Sequence, residues 1–446
     1  MHIDLQTLKE LELLNFDTGG KNIFEMLDQT ETPGGQYRFK QNFRKPPDDL
    51  KEIIETQTAV KYIINDIRNW ELPVDAKLMD LLDVYYFSKS KPLIGRNFIS
   101  RFLENISYRF IYKDFKATFI RGTRYAVQFL KQVNEFNHKT EKKNLPELLS
   151  KIFSHITEII EIKDFTEAIN VGHVLNISVG KLLKLDQAFR DNFKEDFLQL
   201  IDLVYQLDVL ISKARATIKY KLNFPVFSEV ENSSFRVEGL FHLFVHEPVV
   251  NSIGIEPSQN FIFLTGPNMA GKTTFLKACG VSVFLAHLGM GVPAEKMELS
   301  LFDRIFTSLN VSDNLPKGYS YFYSEVKRVK EAAMAFRESK RSFVIFDELF
   351  KGTNVKDAFD GSFLIIQELV KWKSCFFILS SHILELGKEI EKFPQVRFMC
   401  FDSKVENGKP YFNFKIKEGL SDERLGLIIL KDQKVFDLLD PEKPLN

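Results

Sequence analysis

The pattern of hydrophobic and polar residues changes character near Pro225. Before Pro225, apolar residues recur at intervals of three and four, which is the pattern of amphipathic helices. After Pro225, short continuous apolar runs alternate with helical patterns, and such runs predict buried strands in a parallel sheet that is covered on both faces. We therefore expect an α-helical amino-terminal domain over residues 1–222, followed by an α/β domain over residues 223–446.

The segments that carry these patterns are well separated. The clearest predicted helices of the first part are residues 50–64, 145–162 and 197–216. The predicted strands of the second part are residues 261–264, 343–346 and 375–379, and helices are predicted at about 273–288 and 359–372. Ligands of such sheets bind at the carboxyl ends of the strands, so the residues that follow each strand are the first candidates for a functional site.

A glycine-rich loop follows the first of these strands. Its sequence fits G-x-x-x-x-G-K-[ST] and reads Gly266-Pro267-Asn268-Met269-Ala270-Gly271-Lys272-Thr273. The two glycines let the backbone curl so that its N–H groups face a phosphate, and the positive end of the next helix adds to the attraction. Lys272 can reach the β- and γ-phosphates, and the Thr273 hydroxyl can ligate Mg²⁺. The pattern predicts a site for ATP and Mg²⁺. The strand before the loop and the helix after it disfavour a chance glycine turn.

Polar residues also follow the other two strands. Asp347 and Glu348 come directly after residues 343–346, and His382 follows residues 375–379. We expect Asp347 to hold Mg²⁺ and Glu348 to orient and polarise an attacking water molecule. For His382, the pattern supports equally a contact to the γ-phosphate and a histidine that merely satisfies its hydrogen bonds at a strand end.

Charge and cysteine content limit the classes of function. Lys+Arg and Asp+Glu number 60 each, so any surface that holds nucleic acid must be local. The three cysteines lack metal-ligand spacing, and Cys279 and Cys375 are expected to be buried thiols of a reducing cytoplasm. The amino terminus lacks the pattern of a signal peptide, and no apolar window approaches the ~20 residues that cross a bilayer. These features predict a soluble, cytoplasmic protein.

One stretch of the helical part is locally basic and contains interleaved aromatic residues. The basic residues are Arg109, Lys113, Lys116, Arg121, Arg124 and Lys131, and the aromatic ones are Tyr108, Tyr112, Phe115 and Phe119. Such a combination can follow phosphates and stack on bases. A solvated helix face over a core stripe is the alternative, and the spacing of three and four favours it for the aromatic residues.

The nucleotide loop resembles that of the MutS DNA mismatch repair ATPases. Residues 265–274 match the family string T-G-P-N-M-x-G-K-[ST]-T, which is far more specific than the general loop pattern. The resemblance implies that all residues from Gly266 to Thr274 contribute to nucleotide binding, including Pro267, Asn268, Met269, Ala270 and Thr274.

Further family motifs follow in the family's order. Residues 302–307 with 313–315 resemble F-D-R-I-F-T…D-[DN]-L, residues 318–325 resemble G-x-S-x-F-x-x-E, and residues 347–354 resemble D-E-x-x-x-G-T-[SN]. The resemblance implies that Ser320 reaches the nucleotide of a partner subunit, and hence a homodimer formed through the ATPase domains. It also implies that Lys272, Glu348 and His382 carry hydrolysis. His382 is included because Ser381-His382 is similar to the family's T-H pair.

Two weaker motifs extend the resemblance to the helical part. Residues 27–35 resemble L-D-x-T-x-T-x-x-G, and residues 207–214 resemble L-D-x-L-x-S-x-A. The implied fold is a helical core and lever domain followed by a P-loop ATPase domain of the ABC-like class. We expect a short form of the family that has only these two domains, without the mismatch-reading and connector domains. Asp357-Ala358, with Asp360-Gly361 three residues further, departs from the family's Asp-Gly pair, so the position of the partner-facing loop is left open.

Two functional hypotheses follow from this sequence. The first is a MutS-like, ATP-dependent DNA-binding protein that serves DNA mismatch repair or related DNA maintenance, with Arg109, Lys113, Lys116, Arg121 and Arg124 as candidate DNA contacts. The second is an ATP-driven protein-interaction switch of the same fold without direct mismatch recognition. The zero net charge favours the second hypothesis, and the family resemblance favours the first.

Overall fold

The structure is a computed structural model, and it describes residues 1–15, 20–87, 113–228, 234–309, 321–406, 409–421, 435 and 438. The chain divides into two compact units. The unit that we call the sheet unit consists of Met1–Met26, Phe43–Ile53 and Thr217–Asn446. The unit that we call the helical unit consists of Leu27–Asn42 and Ile54–Ala216.

This division differs from the expected domains 1–222 and 223–446, because the first residues of the chain join the sheet unit. Residues His2–Ile3 pair in parallel with the edge strand Arg304–Ser308. The Thr7 hydroxyl accepts the Thr307 N–H at 3.0 Å, and the Glu10 carboxylate accepts the Thr307 hydroxyl at 2.5 Å. These contacts join positions almost 300 residues apart, which no local pattern in the sequence can indicate.

Fourteen helices are numbered here in chain order, within the described residues. They are α1 Leu5–Glu10, α2 Ile23–Leu27, α3 Pro33–Arg44, α4 Leu50–Asn65, α5 Ala76–Phe87, α6 Lys113–Lys139, α7 Glu147–Ile160, α8 Lys163–Ile169, α9 Val179–Gln187, α10 Lys194–Lys219, α11 Lys272–His287, α12 Tyr321–Glu338, α13 Val355–Leu369 and α14 Leu384–Ile390. The predicted helices at 50–64, 145–162 and 197–216 are confirmed as α4, α7 and α10, with ends that differ by a few residues. None of the helices in this described part is long and apolar enough to cross a membrane.

Eleven described strands form two sheets. They are β1 His2–Ile3, β2 Val226–Phe227, β3 Phe235–Leu240, β4 Asn251–Ile255, β5 Phe261–Thr265, β6 Lys296–Leu299, β7 Arg304–Ser308, β8 Ser342–Asp347, β9 Phe376–Ser380, β10 Val396–Glu406 and β11 Lys409–Glu418. The larger sheet has the order β1-β7-β8-β9-β5-β10-β11, and the smaller one has the order β2-β6-β3-β4.

The centre of the larger sheet is parallel and buried. Strands β7, β8, β9, β5 and β10 pair in parallel, and every residue of β5, β8 and β9 is buried. Phe261, Phe346, Phe377 and Ile366 belong to one apolar cluster on this sheet. The prediction of a covered parallel sheet from continuous apolar runs is therefore confirmed. Cys279, Cys375 and Cys400 are buried and form no disulfide within the described residues, as expected for the first two.

The two motifs of the helical part meet inside the helical unit. The Asp208 carboxylate accepts the backbone N–H groups of Glu31 and Thr32, each at 2.9 Å, and the Thr32 hydroxyl at 2.5 Å. A side chain at Gly35 has no room, since a Cβ atom there lies 2.2 Å from the Asp208 carboxylate. Burial raises the pKa of Asp208, although these hydrogen bonds act in the opposite direction. The two motifs, 177 positions apart, thus form one buried polar junction.

Candidate functional site

The carboxyl ends of three neighbouring strands bring the predicted site residues together. Ser380 at the end of β9 pairs with Leu264 of β5 on one side and with Asp347 of β8 on the other. The glycine-rich loop leaves β5 at this edge, and the acidic pair leaves β8 beside it. Parallel strands that end in register place their following residues at one edge of the sheet, which is why this site is assembled from three separate segments.

The glycine-rich loop adopts a conformation that only glycine tolerates at two positions. Gly266 has a φ of +143°, and Gly271, which directly precedes α11, has a φ of +97°. A Cβ atom at Gly266 lies 3.0 Å from the Cβ atom of Phe401, so a side chain there also has little space. The loop therefore curls tightly before the helix begins at Lys272, as phosphate-binding loops require.

The ammonium group of Lys272 lies inside this loop. Its Nζ atom donates hydrogen bonds to the carbonyl oxygens of Gly266 at 2.8 Å and Pro267 at 3.0 Å. The residue is 6% exposed, and burial lowers the pKa of its amine, whereas nearby Glu348 and Asp347 act to raise it. Within the described part of the chain, the direct hydrogen-bond partners of this buried cation are carbonyl groups, and such a cation is well prepared to receive a more highly charged anion.

Thr273 and Asp347 form an oxygen pair at the start of α11. The Thr273 hydroxyl donates to Asp347 Oδ2 at 2.6 Å, and the Ser380 hydroxyl donates to the other carboxylate oxygen. Asp347 is 7% exposed, so its charge is fixed in position by these two hydroxyl groups. One hydroxyl and one carboxylate are hard oxygen donors of the kind that Mg²⁺ takes from proteins, with phosphate and water oxygens as its other ligands. The residues present therefore fit this metal.

Glu348 lies beside two basic side chains. Its carboxylate contacts His382 Nδ1 at 3.4 Å and Lys351 Nζ at 3.4 Å. The hydrogen bond from His382 and the charge of Lys351 lower the pKa of Glu348 to about 2, against the effect of burial. The same hydrogen bond raises the pKa of His382, whose side chain is 63% exposed. Glu348 is consequently ionised at neutral pH.

The turn that carries Glu348 has a strained backbone and is held from α12. Glu348 and Phe350 have φ values of +60° and +62°, which side chains disfavour. The Glu325 carboxylate accepts the N–H groups of Lys351 at 3.0 Å and Gly352 at 3.1 Å. Glu325 is 5% exposed, and burial raises its pKa. Glu325 is part of a motif noted in the sequence, but nothing in that motif indicates what its carboxylate binds.

A cleft of ≈ 400 Å³ opens next to the loop. Its lining includes Met269, Gly271 and Thr274 from the loop region, together with Val249, Phe401 and Phe414. Met269 is 76% exposed and has a φ of +70°, so the backbone turns this side chain outwards at the cleft. The volume and the mixture of aromatic and aliphatic walls suit a flat organic group.

The ring of Phe414 reaches the loop because β11 contains an irregularity. The pairing of β10 with β11 shifts between Phe401 and Ser403, and Phe414 lies in the extra segment with a φ of +56°. The Asn251 side chain holds this bulge, since its amide donates to Phe414 O at 2.9 Å and its oxygen accepts Ile416 N–H at 2.9 Å. A Cβ atom at Gly271 lies 3.5 Å from the Phe414 ring, which puts the ring against the loop. The sequence alone does not indicate a role for Phe414, because alternation along a strand does not reveal a bulge.

The remaining predicted residues are distributed as follows. Pro267 and Asn268 lie in the loop, with Asn268 exposed and Ala270 buried. Ser320 lies outside the described residues, as do Arg109, Tyr108 and Tyr112. The backbones of Lys113 and Lys116 belong to α6, but their side chains are not among those described. Arg121 and Arg124 belong to α6 in the helical unit, and Phe119 is buried there at 2% exposure, as the core-stripe interpretation expects.

Comparison with known proteins links both units to one family. The model of MutS domain III matches residues 6–214, and the model of MutS domain V matches residues 262–436. The DNA mismatch repair protein MutS of Thermotoga petrophila is 25% identical over 97% of this chain, and that of Thermotoga maritima is 26% identical over the same share. The corresponding protein of Ehrlichia ruminantium is 32% identical over 51% of this chain and 28% of its own length.

The match extends along nearly the whole chain but not along the whole of its relatives. The chain spans 63% of the length of the two Thermotoga proteins. The two matched regions follow each other in the order of domain III and domain V. The chain therefore belongs to the MutS family and carries regions that correspond to its domains III and V.

Proposed function

We propose that this chain is a Mg²⁺-dependent ATPase of the ABC-like P-loop class and that it couples ATP hydrolysis to DNA binding. The observation that supports the ATPase most directly is the meeting of three strand ends at Lys272, the Thr273–Asp347 pair and Glu348. A cation, a metal-binding oxygen pair and an ionised carboxylate around one curled loop are the groups that phosphoryl transfer to water needs.

Each residue of this site has a separate role in the proposed ATP hydrolysis. Lys272 exchanges its carbonyl partners for the β- and γ-phosphates, while the backbone N–H groups of the loop, which Pro267 lacks, surround the phosphate chain. Thr273 and Asp347 would hold Mg²⁺, which would neutralise charge on the phosphates. Glu348 accepts a hydrogen bond from the attacking water and orients it. A carboxylate with a pKa of about 2 is a weak base, so orientation is its main contribution. His382 keeps that carboxylate in place and reaches the γ-phosphate.

The cleft beside the loop is the proposed site of the adenine base. Phe414 lies against Gly271 and offers an aromatic face, and Val249 and Met269 supply further apolar surface. Stacking on an aromatic ring contributes roughly 1–3 kcal/mol per base in nucleic-acid complexes. The base and the phosphates are thereby bound on adjoining surfaces of the sheet unit.

We further propose that two copies of the chain share their nucleotide sites. The resemblance to the family assigns Ser320 to the nucleotide of the partner, so each site is complete only in a homodimer. Helices α6 and α10 have 27 and 26 residues and are each about 40 Å long, which suits levers that move with nucleotide state. All of α6 and all but the end of α10 belong to the helical unit. Buried cysteines that form no disulfide within the described residues agree with a cytoplasmic location.

A size measurement tests the ATPase and the shared site together. Glu348→Ala retains the groups that bind phosphate and loses the carboxylate that orients water, so it should accumulate ATP-bound dimer. We expect light scattering to report a doubled mass with ATP and Mg²⁺, and Lys272→Ala, which lacks the phosphate-binding amine, to remain monomeric. An ATP-bound Glu348→Ala protein that stays monomeric contradicts the shared site, and failure to bind ATP contradicts the nucleotide site itself.

DNA mismatch repair or related DNA maintenance is the proposed setting, because the MutS relatives are named as DNA mismatch repair proteins. The candidate contacts are Arg109, Lys113, Lys116, Arg121 and Arg124. The second candidate function is an ATP-driven switch that binds a protein partner, and the zero net charge of the chain favours it. Titration of duplex, mismatched and branched DNA at low salt, with and without nucleotide, separates the two functions. Absence of binding to all of these probes favours the protein-interaction switch.

A further inference from the structure

The helical unit contains a second cleft, which lies between one face of α6 and the segment from Gly172 to Leu175. Its volume is ≈ 520 Å³, and its lining consists of Arg121, Arg124, Tyr125, Gln128, Lys131, Gly172, His173, Val174 and Leu175. The residues from α6 recur at intervals of three and four, so they form one stripe along the helix. Among these described residues there is no carboxylate.

The positive charges of this cleft are not neutralised within the described part of the chain. Lys131 Nζ donates to the carbonyl oxygens of Val171 and Gly172, the latter at 2.8 Å, and Arg124 Nη2 donates to Leu175 O at 3.2 Å. Arg124 Nε is buried and finds no hydrogen-bond partner among the described residues. Arg121 is exposed, and within the same described set it forms no hydrogen bond or ion pair. Carbonyl groups position these cations but leave their charge available to an anion.

From this arrangement we infer that the cleft binds the phosphate backbone of a nucleic-acid strand. The stripe from Arg121 to Lys131 is about 15 Å long at 1.5 Å per residue. One DNA strand carries a phosphate about every 3.4 Å along the helix axis, so about four phosphates fit beside the stripe. Tyr125 and the exposed His173 add flat rings on which a base can stack. An extended polyanion matches a linear row of cations better than a single compact phosphate does.

This inference rests on the proposed DNA-binding function and names the surface that carries it. Of the basic run noted in the sequence, it retains Arg121, Arg124 and Lys131. It adds the wall from Gly172 to Leu175, which the basic run did not indicate. That wall reaches α6 only through folding, since it follows the end of α6 by more than thirty residues.

Two substitutions at exposed positions test the cleft without disturbing its framework. Arg121→Glu reverses a charge, and Gln128→Glu places a carboxylate of nearly the same shape in the middle of the stripe. Lys143→Glu, an exposed lysine of the same unit outside the cleft, is the matched control. Binding of a fluorescein-labelled single-stranded oligonucleotide and of its duplex is followed by anisotropy over a series of salt concentrations, and thermal melting verifies that each variant is folded.

We expect each cleft variant to raise the Kd by about tenfold or more at low salt, and Lys143→Glu to leave it near the wild-type value. The slope of log K against log salt should decrease by about 0.7 to 0.9 for each phosphate contact that is lost. If the wild-type protein binds the oligonucleotides and both cleft variants bind them with the same affinity, the cleft is not the binding surface, although the DNA-binding function stands. If the wild-type protein binds neither oligonucleotide, both the cleft and the proposed DNA-binding function are wrong. Equal competition by an acidic polypeptide overturns the assignment to nucleic acid.

Discussion

The Thr273 hydroxyl donates a 2.6 Å hydrogen bond to Asp347, and so joins the first turn of α11 to the end of β8. The two residues are 74 positions apart, and they lie in the two segments that the sequence pattern assigned separately to phosphate and metal binding. Their direct contact means that the proposed metal site depends on both residues together.

Asp347→Asn should remove the metal-dependent part of ATP binding. The amide keeps the shape and still accepts the Thr273 hydroxyl, but it lacks the charge that holds Mg²⁺. We expect ATP affinity to become insensitive to Mg²⁺ and hydrolysis to fall by at least about 10²-fold, which corresponds to the loss of several kcal/mol of charge stabilisation. Calorimetric titration of ATP with and without Mg²⁺ measures this. Retention of the Mg²⁺ dependence shows that Asp347 is not a metal ligand.

Glu348→Gln should separate ATP binding from hydrolysis. The amide carries no charge and has an NH₂ donor in place of one acceptor oxygen, so it orients and polarises the attacking water less well. Groups of this role contribute about 10²- to 10⁴-fold to the rate. We expect the Kd for ATP to stay near the wild-type value while the single-turnover rate falls within that range. If ATP binding weakens by a factor comparable to the loss of rate, Glu348 has a structural role in the loop.

The ion pair between Glu348 and His382 should be visible in a histidine titration. The pKa of His382 is raised above 6.5, so the stabilisation from this pair is fully present below 6.5 and is lost as the pH rises through the raised pKa. At the acid end, the lowered pKa of Glu348 means that the pair holds above pH 4.5 and is lost as the pH falls towards about 2. NMR titration should give an imidazole pKa that returns towards 6.5 in Glu348→Gln. An identical pKa in both proteins excludes this ion pair in solution.

Phe414→Ala should weaken ATP binding by roughly five- to 150-fold, the range that corresponds to the loss of 1–3 kcal/mol of base stacking. Binding of inorganic tripolyphosphate, which has no base, should be unaffected. Tyr411→Ala, at a 52% exposed position of the same strand, serves as the control. If both ligands weaken equally in Phe414→Ala, the ring supports the loop and does not contact the base.

Glu325→Gln should disturb the turn that carries Glu348, although residue 325 lies outside that turn. The substitution replaces one of two acceptor oxygens with an N–H donor that opposes the N–H of Lys351 or Gly352. We expect faster amide exchange at these two residues and a reduced hydrolysis rate, with ATP affinity preserved. Glu331→Gln on the exposed face of α12 is the matched control. Unchanged exchange at both amides contradicts the positioning role.

Local physical chemistry explains how much of the site was predictable from sequence. A phosphate loop works through the backbone conformation of eight contiguous residues, so Gly266, Gly271 and Lys272 stand in the sequence at their working spacing. The positions of Asp347 and His382 were also predictable, because each follows a continuous apolar run and such runs become adjacent parallel strands. The roles of these residues stay predictions that the variants above test.

Tertiary structure alone decided the features that depend on distant contacts. The bulge that turns Phe414 towards the loop is held by Asn251, more than 160 positions away, and Glu325 meets Lys351 and Gly352 across two elements. The junction of Asp208 with Thr32 and the addition of β1 to the sheet are of the same kind. Periodicity and loop motifs reflect interactions between residues that are close together in the sequence. Contacts between remote segments form because burial and hydrogen-bond satisfaction are optimised over the whole fold, so they became visible only in three dimensions.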